Sequence, residues 1–234
     1  MHTRIDDVTA HDGSFDVHLW FPDGGTGPGI LLVQEIFGVG PYLTEVAEDL
    51  AARGYVVAAP DLFWRLRPGW VGEHTEAGTA ASIELASGFD FPQGVADCAL
   101  TVAHLLGLPE VDGRVGSLGF CLGGSITFML ATQVEQAAVL SFYGSAVPDA
   151  AGLIERIGSP LLLVFGGSDP YIPRERVAVV EKAADDRAHV LVHVEEEAGH
   201  AFHNSAPMFH HPRAAGRAWE VALNFLSRNL PVQR

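Results

Sequence analysis

Short apolar runs alternate with amphipathic stretches along most of this chain, and that alternation leaves few folds open. Residues 29–33 (Gly-Ile-Leu-Leu-Val) are continuously apolar, as suits a strand buried on both faces. Residues 55–59, 138–142, 161–165 and 190–194 read the same way, and 114–118 reads as a further short strand. Between them, residues 42–53 place Leu43, Val46, Ala47 and Leu50 at helical spacing until Gly54 stops the pattern. Residues 95–106, 125–131, 174–184 and 214–229 also read as helices. Residues 15–21 alternate apolar and polar, which suits a half-exposed strand. Strand and helix taking turns predict an α/β fold with a mainly parallel central sheet flanked by helices. Residues 63–91 fit worst: they are rich in Gly and Trp without a clear period. They read as a loop or short-helix excursion over the sheet, the kind of segment that shapes binding sites. With no repeat, low-complexity tract or linker, one domain over residues 1–234 is expected.

Composition removes several function classes. Apolar residues make up 48% and charged residues 18%, which excludes a disordered chain. Two cysteines cannot build a disulfide framework. A net charge of −15, with no Lys/Arg cluster, argues against a nucleic-acid partner, whose phosphates would be repelled. The start of the chain, Met1 to Asp7, lacks the apolar region of a secretory signal. A membrane span needs about 18 or more consecutive apolar residues, and the best run, 29–43, carries Glu35. A soluble, reduced, cytoplasmic protein with no membrane partner is expected.

In parallel α/β sheets, ligands sit at the carboxyl ends of strands, and four such ends carry reactive residues. Gly119-Phe120-Cys121-Leu122-Gly123-Gly124 follows strand 114–118. A reactive side chain between glycines at a strand-to-helix turn is a nucleophile elbow, here with Cys for Ser. The helix N-terminus beyond it favours thiolate. Gly166-Gly167-Ser168-Asp169 follows strand 161–165, where an acid can orient a histidine. Gly199-His200-Ala201-Phe202 lies beyond strand 190–194, and His200 suits a general base. Gln34-Glu35-Ile36-Phe37-Gly38 follows strand 29–33; the amides of Ile36 and Leu122 are the oxyanion-hole candidates. Each segment also has a plainer reading: a structural Cys in a Gly-rich turn, an Asx turn at Asp169, a solvated loop His, a salt-bridged Glu. Together they fall in the order nucleophile, acid, base, which is that of α/β-hydrolases.

These segments, with Ala58-Ala59-Pro60-Asp61-Leu62, resemble the dienelactone hydrolase family of α/β-hydrolases over nearly the whole chain. The resemblance implies a Cys-His-Asp triad of Cys121, His200 and Asp169. It implies that Glu35 contacts the resting thiol and takes its proton when substrate binds. It makes Tyr143 a site-lining residue, and Phe37, Phe202 and Asn204 further substrate-binding candidates. It implies hydrolysis of a small ester or lactone, carboxymethylenebutenolidase-like, through a thioester and without metal or organic cofactor. Two departures concern the substrate. Asn204 stands where the family has an arginine, and residues 78–85 hold no Arg or Lys where a second is expected. Without that clamp an anionic substrate loses both charge and bidentate geometry; His203 offers at most partial charge. Trp64, Trp70 and Phe89 suggest a more apolar pocket, or core fillers.

Three rivals remain at this level. One is a metal site from His200, His203, His210 and His211 with Glu195, Glu196 and Glu197. A second is a non-catalytic ligand-binding or regulatory protein on the same fold. A serine mechanism is the third, but no G-x-S-x-G occurs and Ser125 lies one helical turn beyond Cys121. Cys98, among helix residues, reads as a buried apolar filler.

Overall fold

The computed structural model describes residues 1–233. Eight strands form one sheet: β1 (His2–Ala10), β2 (Gly13–Phe21), β3 (Gly27–Val33), β4 (Val56–Pro60), β5 (Val111–Phe120), β6 (Val139–Phe142), β7 (Leu161–Gly166) and β8 (Val190–Glu195). Their order is β1-β2-β4-β3-β5-β6-β7-β8. β1 and β2 are antiparallel to their neighbours, and β4 through β8 run parallel. Among the described residues six α-helices accompany the sheet, five between strands and the last after β8: α1 (Pro41–Ala52), α2 (Glu76–Ser87), α3 (Phe91–Gly107), α4 (Leu122–Ala131), α5 (Arg174–Ala184) and α6 (Pro212–Asn229). This is the α/β fold with a mainly parallel central sheet that the alternation of strand and helix predicts.

Each central strand feeds two cores because its side chains alternate. Ile30 and Leu32 join one cluster with Leu43, Val46 and Leu50 of α1, Val177 of α5 and Phe225 of α6. Leu31 and Val33 join the opposite cluster with Val95, Cys98, Val102 and Leu105 of α3. Cys98 is fully buried, and its thiol is pushed above its ordinary range by that burial. Burying one such Leu or Val contributes roughly 1.5–3 kcal/mol, so the continuous apolar runs carry the sheet. The register pairs Val33 with Gly119, Phe120 with Phe142, and Phe142 with Val164. The strand ends therefore lie side by side, and the reactive segments that follow them emerge at one edge.

Four features differ from the sequence reading. β1 was not expected: it carries Arg4, Asp6 and Asp7, and its Ile5 is 57% exposed, so it has the polarity of an edge strand rather than an apolar run. α2 lies inside the aperiodic 63–91 stretch. Only Ser82 of that helix is buried, so no apolar stripe marks it, although Thr75 caps its start by accepting from the Gly78 amide. α3 starts at Phe91, capped by Asp90, rather than at 95. α4 starts at Leu122 rather than 125, because its first turn contains two glycines that packing demands and helix propensity disfavours. Among the described residues, no helix is long and apolar enough to cross a membrane.

Candidate active site

Cys121 sits at the junction of β5 and α4 with φ 53° and ψ −110°, a conformation that costs a non-glycine residue about 1–3 kcal/mol. The flanking glycines make that turn possible. A Cβ on Gly119 would stand 2.1 Å from the Gly123 carbonyl oxygen, and one on Gly123 would stand 2.3 Å from the Val33 oxygen. The Cys121 amide donates to Phe142 O at 2.9 Å, which pins the tip of the turn to β6. Two more non-glycine residues have positive φ, Tyr143 (38°) and Ala201 (55°). Both touch the same site, so the backbone strain in the described residues gathers there.

His200 reaches the elbow from the loop after β8. Its Nε2 lies 3.1 Å from Cys121 Sγ and its Nδ1 lies 2.7 Å from Asp169 Oδ2. Asp169 is buried, and its other oxygen accepts from the amides of Tyr171 (2.8 Å) and Ile172 (3.2 Å). Asp169 therefore caps its own turn and bonds the His200 ring at the same time. Burial pulls the His200 pKa down, but hydrogen bonds and charge from Asp169 and Cys121 outweigh it and raise it to about 10. The ring is held between Tyr143 and Tyr171, with centroids 5.3 and 5.1 Å away.

Glu35 departs from what the resemblance implies. The thiol's hydrogen-bond partner is His200, whereas Glu35 Oε2 accepts from Asn204 Nδ2 at 2.7 Å. The reason is competition: Asp169 holds the imidazole at the thiol, and Asn204 holds the carboxyl to itself. Glu35 Oε1 is buried without a partner. Burial raises the Glu35 pKa to about 7, against smaller opposing effects of Asn204, His200 and Tyr143.

The amides of Ile36 and Leu122 have no acceptor among the described residues. Leu122 is free because it opens α4, whose first amides lack intrahelical acceptors. The Ile36 loop is tied on its far side: Trp70 Nε1 donates to Ile36 O (3.3 Å), the Gly72 amide to Phe37 O (2.9 Å), and the Leu62 amide to Gln34 Oε1 (3.1 Å). Gly38 closes this loop at φ 77°, where a Cβ would meet the Trp70 carbonyl at 1.8 Å. A thiol hydrogen-bonded to an imidazole, beside loops that leave two amides without acceptors, is an arrangement suited to attack on a carbonyl carbon and to holding the resulting oxyanion.

Above Cys121 lies a cavity of about 220 Å³ with walls of Ile36, Phe37, Ile83, Tyr171 and Phe209; among the described residues no lysine or arginine lines it. Of the four substrate-binding candidates, Phe37 alone is on this wall. Tyr143, Phe202 and Asn204 are fully buried behind it: Tyr143 packs on His200, Phe202 packs on Tyr143, and Asn204 holds Glu35. His203 brings no charge to the site. It is half-buried, its ring packs on Phe120 and Trp219, its Nδ1 shares a hydrogen bond with the Tyr42 hydroxyl at 2.8 Å, and desolvation lowers its pKa to about 4. Trp64 and Phe89 pack in the core, with Trp64 Nε1 donating to Asp97. Sequence reasoning missed Ile83, Phe209 and His74, which lie in stretches without period; Tyr171 had a signal, two residues beyond Asp169.

The rival sites do not assemble. Among the described residues no group of three His, Cys, Asp or Glu could hold a metal ion; His211 instead caps α6 by accepting from the Ala214 amide. The Ser125 hydroxyl is spent on backbone, accepting from the Ala146 amide and donating to Cys121 O.

The model of the dienelactone hydrolase family matches residues 15–230. The carboxymethylenebutenolidase of Pseudomonas sp. strain P51 is 30% identical over 221 residues, covering 94% of this chain and 92% of its own. A solved dienelactone hydrolase-like promiscuous phosphotriesterase from metagenomic libraries superposes with a TM-score of 0.80 at 26% identity over 98% of each chain. The dienelactone hydrolase of Anabaena variabilis gives 0.71 at 19% identity over 98% of each chain, a likeness of fold. With a family match that runs from within β2 through α6 and a relative 30% identical over 94% of the chain, the chain belongs to the dienelactone hydrolase family, a family of hydrolases.

Proposed function

We propose that this protein hydrolyses a small, uncharged carboxylic ester or lactone with Cys121 as nucleophile. One observation carries the reading: a thiol, an imidazole and a buried carboxylate stand in series at 3.1 and 2.7 Å on the floor of an apolar cavity. Substrate enters with its carbonyl oxygen between the Ile36 and Leu122 amides. Cys121 Sγ, its proton passed to His200 Nε2, attacks the carbonyl carbon. The tetrahedral oxyanion collapses, the C–O bond to the leaving oxygen breaks, and His200 returns the proton to that oxygen. A thioester remains. His200 then takes a proton from water, the hydroxide attacks the thioester, and the C–S bond breaks to give the carboxylic acid and the free thiol. Asp169 keeps the imidazole in the required tautomer throughout.

The uncharged substrate follows from the cavity wall. A carboxylate brought there meets no arginine or lysine and leaves its hydration behind, which is costly without a partner. Ionised Glu35 would add repulsion. The test compares wild type with Cys121→Ala on a short p-nitrophenyl ester, a neutral lactone, a neutral phosphate triester and an anionic dienelactone. We expect turnover of the neutral carboxylic substrates, a drop of about 10³-fold or more in the variant, and poor use of the dienelactone. Preferred turnover of the dienelactone would overturn the neutral-substrate reading. Absence of Cys121-dependent turnover would favour a ligand-binding protein on the same fold.

A further inference from the structure

We propose that His74 is a positioning residue for Glu35. By fixing the Asn204 amide it keeps the Glu35 carboxyl turned toward Asn204 and leaves the Cys121 thiol to His200. This rests on the reading of Cys121 as the reactive thiol.

The hydrogen-bond directions carry the inference. Asn204 Oδ1 accepts from the Ala206 amide at 2.9 Å, so the amide plane cannot flip without losing a bond. That leaves both hydrogens of Nδ2 to be placed. One goes to Glu35 Oε2 at 2.7 Å, and the other points at His74 Nε2 at 3.2 Å. An amide nitrogen only donates, so His74 must accept there, neutral and with its proton on Nδ1. Three acceptors and donors around one fully buried side chain define a single orientation. Asn204 is also the one hydrogen-bond partner of the Glu35 carboxyl among the described residues, because Oε1 has none. If the amide loosens, the Glu35 carboxyl loses that bond and keeps only the weaker influence of the Tyr143 hydroxyl.

His74 is itself well held. It lies just before α2, the helix that sends Thr79 and Ile83 to the cavity. Its ring meets Phe37 edge-on at 4.4 Å and Phe209 at 6.0 Å. Burial lowers its pKa against the opposing carboxylate of Glu45, which supports the neutral form; its chain neighbours Glu73 and Glu76 are exposed. Glu35 is faced by His200, Tyr42 and Tyr143. The device is specific to a chain with Asn at 204, since an arginine there would pair with Glu35 by charge and need no acceptor behind it.

The test does not depend on turnover. The rate of Cys121 alkylation by iodoacetamide is followed from pH 5 to 9 in wild type, Glu35→Gln, His74→Ala and His74→Gln. Wild type should show an inflection near pH 7 that Glu35→Gln abolishes. The Asn204 bond favours the carboxylate, so loosening it in His74→Ala should move the inflection up by about half a pH unit or more. His74→Gln offers a side-chain carbonyl to the same hydrogen and should restore the wild-type midpoint. Partial misfolding would lower the amplitude without moving the midpoint. A His74→Ala profile that overlays wild type, a His74→Gln profile that fails to return, or no inflection assignable to Glu35 would overturn the proposal. Midpoint shifts in a protein that turns over none of the ester panel would keep the His74 role and reject the hydrolase reading; turnover without the shifts would do the reverse.

Discussion

At the scale of single residues, Glu35 sets chemistry against stability. Its carboxyl is buried with one oxygen unpartnered, and its pKa stands near 7 instead of 4.5. A group whose folded pKa is raised adds stability that is complete below its unfolded value and is lost as pH rises through the folded one. Glu35→Gln should therefore melt above wild type at pH 8 and lose that advantage at pH 5. The gap at pH 8 is expected to reach about 3 kcal/mol at most. Thermal melts at the two pH values check this, and an equal gap at both would reject a buried, ionising carboxyl as its cause. The residue types of the site were readable because each follows a strand end. The partner of each was not: nothing in Gln34-Glu35-Ile36 or His203-Asn204 says that Asn204 bonds Glu35 while His203 turns into the core.

At the scale of elements, the elbow depends on helix α4 pressing against the end of β3. Gly123→Ala would set a Cβ 2.3 Å from the Val33 oxygen and 2.7 Å from the Gln34 oxygen. Backbone must then move, shifting the Leu122 amide away from that of Ile36. A displacement near 1 Å in such a site costs about 10²-fold in rate, and the overpacking about 1–3 kcal/mol in stability. Gly152→Ala, with no atom within 4 Å of its Cβ, is the control and should do neither. Activity assays and denaturant melts on the two variants decide the matter; equal activity in both would mean the elbow tolerates displacement. Elements were legible where burial imposes a period. α5 was read at 174–184, as it stands, because Val177 and Val180 face the core. β1 and α2 were missed because an edge strand and a helix with one buried residue have little burial to reveal them.

At the scale of the whole molecule, acid stability is tied to His203, half-buried where its ring packs against Phe120 and Trp219 at the margin of the core. Its pKa falls from 6.5 to about 4, mainly through burial. A depressed pKa means stability that is present above 6.5 and is lost as pH falls toward 4. Wild type should lose up to about 3 kcal/mol from this group across that window. His203→Gln, which keeps a hydrogen-bonding side chain beside the Tyr42 hydroxyl, should flatten the acid side of the stability profile. Chemical denaturation at pH 7 and pH 4.5 checks it, and equal acid sensitivity in the variant would mean that other groups dominate. The sequence by itself determined the sheet apart from its edge strand β1, the parallel centre and the strand ends that bear Cys121, Asp169 and His200, because buried strands and the elbow must be written in apolar and glycine residues. Only the tertiary structure decided which face Glu35 serves, that Tyr143, Phe202 and Asn204 stand behind the cavity rather than on it, and that His74 enters the network. Those outcomes depend on contacts between residues up to 169 positions apart. Side-chain hydrogen bonds over such distances leave no period in the chain.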